Sequence, residues 1–96
     1  MAGEQNVIGE QVRKRRVALD WSQETLATNC QLQGWDVSRG TLSKIEARLR
    51  RVTDAELFVL ALVLKVELND LFRSPMTVKK ALRNPQGSNP RAFESA

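Results

Sequence analysis

The chain has 96 residues, 42% of them hydrophobic and 27% charged. That is enough for one small domain with a single core, and it leaves no room for a cofactor domain beside a substrate domain. Fifteen basic residues against eleven acidic give a net charge of +4, a balance that favours an acidic partner, nucleic acid first and an anionic membrane second.

There is no His, which removes His-based acid–base chemistry, Ser–His and Cys–His nucleophile pairs and His metal ligands. The single Cys, Cys30, can form neither an internal disulfide nor a multi-Cys zinc site and reads as a small core hydrophobe in a reducing compartment. The opening stretch MAGEQNVIGE lacks the apolar run of a secretory signal. The longest apolar run, Leu57 to Leu64, is eight residues, too short to span a bilayer. With no paired carboxylates, metal cluster or Gly-rich phosphate loop, the expectation is a cytoplasmic, soluble, non-enzymatic domain with no cofactor, no membrane association and no evident small-molecule ligand.

The apolar positions Ile8, Val12 and Leu19 fall on one stripe and predict a first helix over about 6–19, closed by Asp20 in a left-handed C′ conformation. Arg15 lies inside that stripe, so its head is expected to reach out to solvent along a buried stem. Ser22 is an N-cap with Glu24 in the first turn, opening a second helix over about 22–30 whose inner face is Leu26, Ala27 and Cys30. Residues 31–37 break the period, Gly34 punctuates them, and they read as a turn. Ser38 caps a third helix to about Ala47, with Leu42 and Ile45 facing in. Thr53 and Glu56 have capping-box spacing and open a fourth helix over 54–64, apolar nearly all round and therefore expected to be the central buried element. A fifth short helix over about 67–72 offers Leu68, Leu71 and Phe72. The pattern is all-α, four to five helices in a compact bundle, with residues 1–73 as the domain and 74–96 as an extension. Ser74-Pro75 suggests a short helix over 75–83, and the Pro- and Gly-containing stretch from Asn84 reads as a mobile tail.

Charge is concentrated in two blocks, residues 13–16 and 38–51, each with a net charge of +4. The string Ser22-Gln23-Glu24-Thr25-Leu26-Ala27, followed by Val37-Ser38-Arg39-Gly40-Thr41-Leu42-Ser43-Lys44-Ile45-Glu46 and closed by Ala61, Leu64, Val66 and Leu71, resembles the lambda-repressor-like, Cro/XRE-type helix-turn-helix family. The resemblance covers about Ile8 to Phe72. It departs from the family in three ways. Asp20 and Lys65 stand where Gly is usual, so both junctions should be strained. Ala47-Arg48 replaces a pair that often includes Gly, so the third helix should run on. The stretch between Cys30 and Ser38 is about five residues longer than the short family turn.

The resemblance implies a sequence-specific regulator of transcription that binds double-stranded DNA, most often a repressor acting as a homodimer on a palindromic operator with half-sites spaced by about 10–10.5 bp per turn. A helix fits the major groove and its leading face reaches the base edges, which makes Arg39, Gly40, Ser43 and Lys44 the expected reading residues. Ser22, Gln23, Thr41, Arg48, Arg50 and Arg51 are the expected phosphate contacts. Arg16 and Glu46 match an ion pair that bridges helices 1 and 3 in this fold; the alternative is two unrelated surface charges. Trp21 is expected to pack on the core. Trp35 either folds the long turn back onto the core or stands exposed to a partner or DNA. Arg13 and Lys14 are either phosphate contacts or a solvated surface; Lys79, Lys80 and Arg83 either touch DNA or an acidic partner or belong to a solvated tail. The profile suits a phage regulator, a restriction-modification controller or an antitoxin. A protein-interaction adaptor built on the same scaffold is the alternative from another class, and the basic third helix argues against it.

Overall fold

The structure, a computed structural model, describes residues 4–72; the expected helix over 75–83 and the tail from Asn84 lie outside the described residues. Four α-helices follow one another, α1 (Gly9–Ala18), α2 (Gln23–Leu32), α3 (Arg39–Glu46) and α4 (Asp54–Leu64), and a single 3-10 turn, Leu68–Leu71, closes the domain. The bundle is all-α, with α3 packed on α1 and α2, and α4 packed on α1, α2 and the closing turn.

The helix starts are set by local chemistry. Ser22 Oγ accepts from the Thr25 N–H at 3.0 Å, Ser38 Oγ from the Thr41 N–H at 3.1 Å, and Thr53 Oγ1 from the Glu56 N–H at 3.1 Å while Glu56 Oε1 accepts from the Thr53 N–H at 3.0 Å. Each cap satisfies a donor that the helix itself leaves without a partner. The start of α1 differs from expectation. The helix begins at Gly9, and Asn6 serves it from outside, its Oδ1 accepting from the N–H groups of Ile8 at 3.1 Å and Gly9 at 2.8 Å.

All four α-helices end in one way. One N–H past each helix reaches back five residues and the N–H before it reaches back three, to the next carbonyl, the pattern of a Schellman motif. The pairs are Trp21 to Arg16 and Asp20 to Val17, Trp35 to Cys30 and Gly34 to Gln31, Leu49 to Lys44 and Arg48 to Ile45, and Val66 to Ala61 and Lys65 to Leu62. The motif needs a left-handed residue, and these are Asp20 (φ 61°), Gly34 (φ 96°), Arg48 (φ 63°) and Lys65 (φ 61°). Only Gly34 adopts that conformation without strain. The strain expected at Asp20 and Lys65 is therefore present. The expected extension of α3 is not: Arg48 turns left-handed in place of Gly and α3 stops at Glu46.

Several expected boundaries and faces are corrected. Leu19 is 38% exposed because α1 ends at Ala18 and the chain turns away, so the inner stripe of α1 is Ile8, Gly9 and Val12. Arg15 is half-buried, and its Nε is covered with no hydrogen-bond partner. The second helix continues to Leu32 and absorbs the start of the long turn, which is held by Gln31 Nε2 donating to the Val37 carbonyl at 2.8 Å. Trp35 folds back onto the core and lines, with Gln33, Gly34, Ala55, Glu56 and Val59, a hollow of about 220 Å³. Trp21 also packs against the core. Of the three apolar residues of the last element only Leu71 is fully buried, with Phe72 half-buried and Leu68 exposed. The fourth helix buries Leu60, Ala61, Val63 and Leu64 but leaves Phe58 60% and Leu62 50% exposed, so it is open on one face rather than enclosed.

Candidate nucleic-acid interface

In α3 the buried residues Leu42, Ile45 and Glu46 take one side of the helix. Arg39, Gly40, Ser43 and Lys44 are all exposed, and at about 100° per residue they fall within one arc of about 140° outside the buried side, with Arg39 at its edge next to the line of Glu46. The four residues expected to read bases thus form one open face. Among the described residues no acidic side chain pairs with Arg39 or Lys44. Both are extended cationic donors on a helix that fits a major groove. A Cβ at Gly40 would meet only Ser38 Oγ at 3.8 Å, an ordinary contact, so the fold itself does not require glycine there.

Behind that face, Glu46 fixes the helix. Its Oε2 accepts from Arg16 Nε at 2.7 Å and its Oε1 from Arg16 Nη2 at 3.0 Å, a bidentate pair with side-chain exposures of only 12% and 4%. Arg16 Nη1 also donates to the Trp21 carbonyl at 2.7 Å. One guanidinium therefore joins α1, the α1–α2 turn and α3. Its hydrogen bonds to Glu46 hold the Arg16 pKa above the ordinary arginine value despite burial. The bridging pair expected between the first and third helices is formed.

The expected phosphate contacts lie in three settings. Ser22 and Thr41 sit at the starts of α2 and α3. Ser22 Oγ lies 3.0 Å from Thr25 Oγ1, and Ser38 Oγ donates to Thr41 Oγ1 at 3.1 Å. Gln23 stands in the first turn of α2, its Nε2 donating to Glu46 Oε1 at 3.1 Å. The three arginines after α3 diverge. Arg48 pairs with Glu4 at 2.9 Å, both side chains well exposed. Arg50 turns to α4 and clasps Glu56 with two hydrogen bonds of 2.9 and 3.1 Å, which raises its own pKa and, through the same Arg50 hydrogen bonds, lowers that of Glu56. Arg51 is exposed and has no ion-pair partner among the described residues.

Two positioning residues are not evident from the recognition string. Asn6 Nδ2 donates to the carbonyls of Ile45 at 3.1 Å and Arg50 at 2.8 Å, so the residue that caps α1 also holds the end of α3 and the loop beyond it. Gly9 lies directly against the end of α3, where a Cβ would run into the Ile45 carbonyl and stand 2.9 Å from Arg48 Cγ. An Asn three residues before a helical Gly was the available signal for the cap. The contact with α3 is long-range and left none.

Two capped helices joined by a turn, the second presenting a basic exposed face and locked from behind by an ion pair, define a helix-turn-helix module. Residues 12–71 match the Helix-turn-helix family model, and the chain belongs to the Cro/XRE-type helix-turn-helix family. Two solved structures are similar. One is the restriction-modification controller protein C.AhdI from Aeromonas hydrophila, at 31% identity and a TM-score of 0.60, covering 68% of this chain and 87% of that one. The other is the hypothetical transcription factor NHTF from Neisseria, at 25% identity and a TM-score of 0.63, covering 84% and 91%. Among curated proteins there is no match. The protein is a DNA-binding regulator of transcription, and its partner is double-stranded DNA. Among the described residues no helix is long and apolar enough to cross a membrane, and no group of His, Cys, Asp or Glu is placed to hold a metal ion.

Proposed function

We propose that the protein is a homodimeric repressor that reads a palindromic operator with α3, and that it serves as the controller of a restriction-modification system. The observation that carries the DNA reading is the open face of Arg39, Gly40, Ser43 and Lys44, whose two cations form no ion pair among the described residues. The controller role rests on the similarity to C.AhdI over 87% of that protein.

On this reading Arg39 and Lys44 donate to guanine O6 and N7, Ser43 adds a hydroxyl, and Gly40 keeps the approach of the helix free of a side chain. Gln23 binds a backbone phosphate. An amide nitrogen has two N–H donors. Glu46 takes one, which orients the group and leaves the other for the phosphate, beside the unpaired N–H groups that open α2. Ser22 and Thr41 border the same strand from the starts of their helices. Arg51 is the uncommitted strand contact, Arg48 exchanges the exposed Glu4 for a phosphate, and Arg50 adds positive field while it holds Glu56.

Selection of bound duplexes from a random library tests the reading. Two half-sites in inverted repeat, about one helical turn or a multiple apart, are expected. A single asymmetric site would contradict the dimer, and no enrichment would contradict sequence reading. Binding should also weaken steeply with salt, with a log–log slope of roughly −5 to −7 for about 5–8 phosphates neutralised per dimer.

A further inference from the structure

We propose that the outward face of α4 is the surface on which a second copy of this chain docks, the two α4 helices running antiparallel with Phe58 of one against Leu62 of the other. The inference rests on the homodimer reading above and adds to it the surface and the register.

A helix that is apolar nearly all round is ordinarily enclosed. The core, the closing turn and the neighbouring helices cover most of α4, yet Phe58 and Leu62 stay 60% and 50% exposed. They are four residues apart and so lie one above the other on the same face. Ala55 is exposed beside them, which leaves room for a second helix to approach.

The ends of this face carry opposite charges. Asp54 opens α4 and Lys65 follows it; both are exposed, and neither is in an ion pair among the described residues. A two-fold axis midway between Phe58 and Leu62 sets each Phe58 opposite the other copy's Leu62. The same axis brings each Asp54 to within one residue's rise, about 1.5 Å, of the level of the other copy's Lys65. The face is thus complementary to itself in shape and in charge when the helices run antiparallel, as an isologous interface must be. Parallel pairing would set like charges together. Because α3 packs on α1 and α2 rather than on this face, docking here leaves Arg39, Ser43 and Lys44 uncovered.

The test is sedimentation equilibrium of the full chain over a wide concentration range, with Phe58→Ser, Leu62→Ser, Asp54→Lys, Lys65→Asp and the double reversal Asp54→Lys/Lys65→Asp. Circular dichroism and the thermal midpoint confirm the fold of each; the two Ser variants should keep it, because both side chains are already largely in solvent. Phe58→Ser and Leu62→Ser should each weaken self-association about tenfold or more. Each single charge reversal should weaken it, and the double reversal should restore it. Wild-type dimerisation in both Ser variants would overturn this surface, whether residues beyond 72 or another protein cover it, and would leave the homodimer reading intact if the selected duplexes are symmetric. A double reversal no better than the singles would overturn the antiparallel register. A chain monomeric at every concentration that also selects single half-sites would overturn the homodimer reading itself.

Discussion

Arg16 on α1 and Gln23 on α2 donate to the same atom, Oε1 of Glu46, at 3.0 and 3.1 Å. The carboxylate at the end of α3 is therefore the point at which both preceding helices are keyed to the reading helix. Because that carboxylate is almost fully buried, the arrangement is sensitive to loss of either charge. Removing one partner of such a pair costs about 3–5 kcal/mol, far more than an exposed pair contributes. Arg16→Ala and Glu46→Ala should each lower stability by an amount of that order and weaken DNA binding without changing the preferred base. A double-mutant cycle read by denaturant unfolding should show strong coupling, and additive effects would contradict the pair.

A second prediction concerns the contact between α1 and the end of α3. With the Ile45 carbonyl and Arg48 Cγ in the way of a Cβ at Gly9, Gly9→Ala must push the two helices apart. Overpacking of this kind costs about 1–3 kcal/mol, against the gain expected of Gly→Ala in an unobstructed helix. Gly40→Ala, whose added methyl meets only an ordinary contact, should leave stability unchanged or slightly raised. Thermal melts of the two variants check the contrast.

The left-handed residue after α4 gives a third. Lys65 holds φ 61°, a conformation that costs an L-residue roughly 1–2 kcal/mol and glycine almost nothing. Lys65→Gly should therefore be more stable than Lys65→Ala, which loses the same charge but keeps the strain, by about 1 kcal/mol, about 4–8 °C in Tm for a domain of this size. Equal Tm values for the two variants would contradict the assigned conformation.

Cys30 is fully buried, and burial pushes its thiol from the ordinary 9.0 up to about 11. The neutral form is favoured in the folded protein, so this contribution is complete below the unfolded value. It is lost as the pH rises from there through the folded value, because the unfolded chain releases its proton first. Stability should fall between pH 9 and 11, and Cys30→Ala should remove that part of the slope while costing core packing. Thiol labelling in the native state should be slow and should become fast on unfolding. Fast native labelling would contradict the burial.

The parts of this molecule that were legible in the sequence are those fixed within a few residues. Ser22, Ser38 and Thr53 each cap a donor three residues ahead, so the helix starts and the exposed face of α3 follow from local spacing. The resemblance to the family placed Arg16 against Glu46, a contact thirty residues apart that spacing alone does not give. What escaped depends on where the chain goes next. Leu19 continues the stripe of α1 in sequence but lies past its end. Arg48 lacks glycine's freedom yet is held left-handed where Asn6 grips the carbonyls on either side of it. Arg50 belongs to a basic block by composition and to Glu56 by geometry. The open face of α4 was hidden by its own uniform apolarity, because a helix without a polar side gives no periodic sign of which side is covered.

The central claim is that α3 reads bases while the start of α2 only positions the module. The direct measurement is a matrix of binding affinities for Arg39→Ala, Lys44→Ala and Gln23→Ala against the selected operator and its single-base variants. Arg39→Ala and Lys44→Ala should each cost about 1–3 kcal/mol on the best site and relax preference at one position per half-site. Gln23→Ala should weaken all sequences nearly equally, because a phosphate contact carries no sequence information. A shift in base preference with Gln23→Ala, together with none for Arg39→Ala and Lys44→Ala, would show that α3 is not the reading helix.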